Sequence, residues 1–195
     1  MEPNQNQYER SVVQTNDGSS SIFVPELDEH YHSVHGAIQE SNHVFIERGL
    51  NQVKSKQVNI LEVGFGTGLN CLLSCHTLRV INYHGVEAYP VANNLIEQLN
   101  YAKATNDNAD IFKAIHSAPW QSYQQISPTF YLFKDATTIE NIVIKEKYHL
   151  IYFDAFGPKV QVELWCVEVF EKLYKSLISG GILVTYCAKG QVRRD

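Results

Sequence analysis

The run Asn59-Ile-Leu-Glu-Val-Gly-Phe-Gly-Thr-Gly-Leu-Asn-Cys-Leu-Leu73 constrains this chain more than any other stretch. It opens as a short apolar segment, crosses three glycines at alternate positions, Gly64, Gly66 and Gly68, and resumes in an apolar pattern compatible with a helix. The reading is strand, glycine loop, helix. Glycine suits such a loop because it has no Cβ and tolerates positive φ, so backbone can approach a ligand closely. A dinucleotide-binding G-x-G-x-x-G loop would need glycine at position 69, where the sequence has Leu69, so a nicotinamide oxidoreductase is disfavoured. A glycine-rich turn that binds nothing is the plain alternative until the flanking residues are weighed.

A chain of 195 residues suits one well-buried α/β domain and is short for two. With 44% hydrophobic and 19% charged residues, and no apolar run near the roughly twenty a membrane helix needs, it reads as soluble and globular, with no membrane partner. The N-terminus lacks a basic segment followed by an apolar core, so no secretion signal is expected and a cytoplasmic location follows. Cys71, Cys75, Cys166 and Cys187 form no C-x-x-C pair and are expected as free thiols. A net charge of −5 argues against wholesale binding to nucleic acid but allows a local basic patch.

Residues 11–15 and 21–24 read as two short strands around an Asp17-Gly18 turn. A polar stretch from Pro25 to Ser33 follows, then helical spacing from Gly36 to about Leu50. His30, His32 and His35 beside Asp28 and Glu29 match no common zinc spacing, so no metal is expected and a ligand-facing loop is the better reading. From residue 57 strand and helix patterns alternate, implying βα units and a mainly parallel sheet with helices on both faces. Strands are expected near 58–63, 80–87, 129–134, 148–154 and 181–187, and helices near 68–78, 91–104, 109–117, 138–146 and 162–178. The chain is therefore divided into an N-terminal hairpin and helical extension, 1–56, and a ligand-binding unit, 57–195, that together act as one domain.

Ligands of open α/β sheets bind beyond the carboxyl ends of the strands, near the point where strand order reverses. The residues there are acidic: Glu62, Glu87 after the second strand, Asp135 after the third and Asp154 after the fourth. Glu87 would accept hydrogen bonds from a ribose diol and Asp135 one from an adenine amino group, although either alone could be a helix cap or a solvated acid. Asp154, flanked by Phe153 and Phe156, would be partly desolvated.

Glu62-x-Gly-x-Gly-x-Gly68 resembles the first motif of class I S-adenosylmethionine-dependent methyltransferases, with their Rossmann-like fold. The likeness narrows further. Phe65-Gly-Thr-Gly-Leu-Asn70, Asp154-Ala-Phe-Gly-Pro158 with Trp165, Gly180-Gly-Ile-Leu-Val-Thr-Tyr186 running to Arg193-Arg194, and the early Asp28-Glu-His-Tyr-His-Ser33 resemble the MnmC-type methyltransferase module, in its stand-alone (MnmD) form. The pattern departs at Gln161-Val-Glu-Leu164, where related sequences often carry Asn-Pro, and the last two strands of a seven-stranded sheet are expected to be missing after Asp195.

The resemblance implies an enzyme that methylates the exocyclic amine of 5-aminomethyl-2-thiouridine at the tRNA wobble position, the amine being supplied by an FAD-dependent enzyme, here a separate one. It implies S-adenosyl-L-methionine held by Glu62, Gly64, Phe65, Gly66, Thr67, Gly68, Asn70, Glu87, Asp135 and Asp154. Asp154 is the expected catalytic residue, holding the amine and helping to remove its proton. Tyr31, Phe156 and Trp165 are candidate walls for the base, and Arg193, Arg194, Lys189 and Lys159 candidate phosphate contacts. The rival readings are a class I methyltransferase acting on a small molecule or protein, and a non-catalytic binding module of the same fold.

Overall fold

The computed structural model describes residues 8–105, 109–144 and 147–187. Two sheets organise it. The smaller is antiparallel, order β1-β2-β3, from Ser11–Gln14, Ser20–Val24 and Glu29–His30. The larger has the order β6-β7-β5-β4-β8-β9, from β4 Gln57–Val63, β5 Val80–Val86, β6 Tyr123–Ser127, β7 Phe130–Asp135, β8 Tyr148–Phe153 and β9 Leu177–Val184. All its pairings are parallel except β6 with β7. After β4 the chain adds β5 and β7 on one side and then returns to place β8 on the other. Strand order therefore reverses between β4 and β8.

The central strands are apolar on both faces, as a sheet covered on both sides requires. Val58 and Ile60 of β4, with Leu150 and Tyr152 of β8, face a core shared with Leu69 and Leu72 of α2 (Leu69–Ser74) and with Ile22, Phe45 and Leu50 of the N-terminal extension. Leu61, Val63, Ile151 and Phe153 face the opposite core, with Val169 and Leu173 of α6 (Val167–Ser176).

Several expected elements differ. The helix expected from Gly36 to Leu50 is α1 (Ala37–Ser41) widening into a π-helical stretch at Asn42–Glu47. The span 91–104 holds α3 (Asn93–Ile96) and α4 (Tyr101–Ala104), separated because Asn100 turns to the hairpin: its amide donates to Ser20 Oγ, its Oδ1 accepts from the same hydroxyl, and its Nδ2 donates to Gly18 O. α5 spans Ala109–Ser117, matching the helix expected there. Of the helix expected at 138–146, residues 145 and 146 lie outside the described residues, and 138–144 form a single turn on the Thr138 carbonyl. Its β-branched run disfavours a helix, and Lys172 Nζ takes the Ile139 and Glu140 carbonyls. Expected helix 162–178 divides into a 3-10 turn, Val162–Trp165, and α6, because Cys166 between them is extended. β9 accordingly starts at Leu177 rather than 181. Strand β6 was not anticipated, since Tyr123-Gln-Gln-Ile-Ser127 is a polar edge strand with little apolar signal.

Candidate active site

The glycine loop begins where β4 ends, at the reversal point. Gly64 has φ +89, and a Cβ there would lie 2.5 Å from the Asp154 carbonyl oxygen, so glycine lets the loop press against the end of β8. Gly66 has φ +51, and a Cβ there would meet the Tyr31 ring at 3.2 Å. The amides of Gly64 and Phe65 both donate to Val86 O, and Gly66 N–H donates to Glu87 Oε2 at 2.9 Å. Glu87 Oε1 takes the Tyr89 amide at 2.9 Å.

Thr67 is gripped from three directions. Its hydroxyl bonds His32 Nε2 at 2.8 Å and accepts from Tyr101 OH at 3.3 Å, while its carbonyl accepts from His116 Nε2 at 3.1 Å. Burial pulls His32 down to about 4, partly offset by Asp17, so the ring is neutral near neutral pH. The histidine-rich stretch thus sends one ring inward against the glycine loop.

Asn70, 2% exposed, donates from Nδ2 to Glu62 Oε1 at 3.0 Å and to Asp154 Oδ2 at 2.7 Å. Glu62 is fully buried, and desolvation together with the Asp154 charge raises its carboxyl well above the ordinary range. Asp154 is pushed up to about 7 by burial, with the Asn70 bond pulling down and Glu40 adding upward.

These groups border a cavity of about 270 Å³. Of the residues expected from the sequence, Tyr31, Gly64, Phe65, Gly66, Thr67, Asn70, Glu87, Asp154 and Phe156 line it. Glu62 and Gly68 stand behind the wall, Glu62 reaching it through Asn70. Asp135 does not line the cavity: its carboxylate is 3.8 Å from His84 Nε2, and Thr137, Thr138 and Ile139 form the wall after β7. Trp165 is also outside it, its indole N–H donating to Phe156 O at 2.8 Å while the ring packs on Phe153 and Phe170. Lys159 is exposed on the turn after Gly157. Lys189, Arg193 and Arg194 lie outside the described residues.

Arg10, His32, Tyr89, Gln161, Glu163 and Tyr186 also line the cavity, none of them expected from the sequence as a site residue, although His32 belongs to the stretch read as a ligand-facing loop. His32 and Tyr186 sat inside stretches already noted, whereas Arg10 carried no local signal. Glu87, Glu140, Asp154 and Glu163 supply four carboxylates, and Arg10 is the one arginine or lysine among the lining residues. Such a cavity favours a ligand with a cationic end.

Sheet order, glycine loop and acidic cavity define a Rossmann-like domain of the class I methyltransferase architecture. A family described as S-adenosyl-L-methionine-dependent methyltransferase matches residues 112–195. The chain is 26% identical over 203 residues to the tRNA 5-methylaminomethyl-2-thiouridine biosynthesis bifunctional protein MnmC of Cupriavidus metallidurans, covering 93% of this chain and 30% of that protein. The protein of the same description from Burkholderia multivorans is 25% identical over 197 residues, covering 89% of this chain and 29% of its own length. The chain thus spans about 30% of the curated relatives it matches. The crystal structure of MNMC2 from Aquifex aeolicus shares the fold, with a TM-score of 0.74 at 22% identity over 97% of this chain and 63% of that one. The chain is MnmC-like in sequence and fold.

Proposed function

We propose that the chain binds S-adenosyl-L-methionine in this cavity and methylates the exocyclic amine of 5-aminomethyl-2-thiouridine at the tRNA wobble position. The observation that carries the reading is the meeting of the glycine loop with Asp154, a desolvated carboxylate held by Asn70, at the strand reversal. The residues fit the cofactor. The cavity is acidic, its glycine loop leaves room for close backbone approach, and Glu87, which lines it, is the candidate acceptor for a ribose diol. Thr137 and Thr138 offer hydroxyls on the side expected for the base. The cofactor, when bound, supplies an already activated methyl group on a sulfonium.

The protein's part is then alignment, exclusion of water and removal of one proton. An alkylamine arrives as ammonium, and Asp154 both attracts that charge and accepts its proton, with an affinity near 7 that suits transfer at neutral pH. Tyr31 and Phe156, which meet edge to face at 5.2 Å, give the cavity an aromatic wall for the base. The amine comes from an FAD-dependent activity, and the reaction takes place in the cytoplasm. Among the described residues no helix is long and apolar enough to cross a membrane.

The test is calorimetric titration with S-adenosyl-L-methionine, followed by transfer of labelled methyl to tRNA lacking only this last methyl. Binding is expected in the micromolar range, about −8 kcal/mol, and Gly66→Val should abolish it by placing a branched side chain against Tyr31 at positive φ. Incorporation should be confined to the undermethylated tRNA. Absence of binding by the unmodified protein would sink the proposal, and equal labelling of fully modified tRNA would reassign the acceptor.

A further inference from the structure

Lys134, in β7, is 1% exposed and does not line the cavity. A lysine ammonium has three donors and is costly to bury unless they are used. Nζ donates to Ile115 O at 2.9 Å and His116 O at 3.1 Å, and lies 4.9 Å from the Trp120 ring centroid and 5.8 Å from that of Phe65. The charge therefore sits at the C-terminal end of α5, where the last carbonyls lack helical partners and the helix dipole favours a cation.

Both neighbours of that charge lead to the glycine loop. His116, whose carbonyl Lys134 holds, donates from its ring to Thr67 O at 3.1 Å. Burial and the Lys134 charge pull His116 down to about 4, so the ring is neutral and Nε2–H is the donor a carbonyl requires. Phe65 is itself a loop residue, packed edge to face on Trp120 at 6.0 Å and His116 at 6.3 Å. The cation thus touches the loop by two routes, one through α5 and one through an aromatic face.

We infer that Lys134 is a positioning residue for the cofactor: it pins the end of α5 so that His116 fixes the Thr67 carbonyl, and its charge seats Phe65. The Thr67 carbonyl fixes the plane of the following peptide, and through it the directions of the loop amides. The inference rests on the cavity being the cofactor site. Burial pulls the Lys134 amine down to about 8, with Cys71 acting in the opposite direction, so the side chain remains mainly protonated near neutral pH.

Lys134→Met keeps the length and removes the charge, while His116→Phe keeps a ring and removes the donor. Hydrogen–deuterium exchange and cofactor titration are measured on both, beside the unmodified protein, below each melting temperature. Faster exchange confined to residues 64–68 and 115–120, with the β4 and β8 amides unchanged, supports the inference. Kd for S-adenosyl-L-methionine should rise about tenfold in each variant, the scale of one lost hydrogen bond. The double variant should be little worse than the more damaging single, because both act on one chain of contacts. Exchange raised evenly over the whole chain would mean a merely structural lysine, and unchanged loop exchange in folded variants would also overturn the inference. If the unmodified protein fails to bind cofactor, the proposed function falls, while the exchange pattern still decides whether Lys134 positions the loop.

Discussion

Asp154 has a carboxyl whose proton affinity in the folded chain, about 7, exceeds its ordinary value of 3.8. Two consequences follow from the sign of that shift. A cationic ligand prefers the ionised form, so affinity for S-adenosyl-L-methionine should increase from pH 6 to pH 8, and binding near pH 7 should release part of a proton. Calorimetry in buffers of different ionisation enthalpy would register this release, and Asp154→Asn should abolish it. For folding, a raised carboxyl is most favourable while protonated, and its contribution is lost as pH rises from about 4 through 7. Asp154→Asn, which mimics the neutral acid, should therefore melt above the unmodified protein at pH 8, the gap closing toward pH 4.

At the scale of elements, the hairpin is fastened to α1 by Asp17. Burial alone would raise its carboxyl, but bonds from Ser19, Thr15 and the Gln39 amide prevail and hold it at about 2. A lowered acid stabilises above its ordinary value of 3.8, and that stability is lost as pH falls toward 2. Asp17→Ala should accordingly lower the melting temperature at pH 7, with the difference from the unmodified protein narrowing as pH falls toward 2. Thr67 links three other elements to the loop. Thr67→Val removes its bonds to His32 and Tyr101, and should cost about 1–3 kcal/mol in denaturant unfolding while weakening cofactor binding. Elements of strong pattern, β4, β8 and α5, lie close to where their sequences place them. Those that fail to match were decided elsewhere: Asn100 and Lys172 each use side-chain atoms to claim backbone groups, or turn aside, for partners far along the chain.

For the whole molecule, the N-terminal extension is part of the main core. Ile22, Phe45 and Leu50 are buried with Leu72 and Tyr152, and Phe45 meets Tyr152 edge to face at 5.2 Å. We therefore propose that the described residues on either side of position 56 fold as one cooperative unit. A chain beginning at residue 34 would lose Ile22, Tyr31 and His32, uncovering part of one face of the sheet and removing the His32 bond to Thr67. Its expected behaviour is a broad, non-cooperative melt with weakened near-ultraviolet dichroism. A sharp transition at the temperature of the full chain would mean that the two parts fold independently.

The order of amino acids alone determined the glycine loop, the parallel sheet buried on both faces, and Asp154 at a strand end, because each is written in a few neighbouring residues whose periodicity and backbone freedom are local. The tertiary structure decided which side chains grip the loop. His32, Tyr101 and His116 lie 35, 34 and 49 residues from Thr67, and Lys134 reaches the end of α5 across 18 and 19. It also turned Asp135 toward His84 and left Thr137 and Thr138 on the cavity wall. Such contacts depend on strand order and on how helices cross the sheet, and both are fixed by burial over the whole chain rather than by any segment of it.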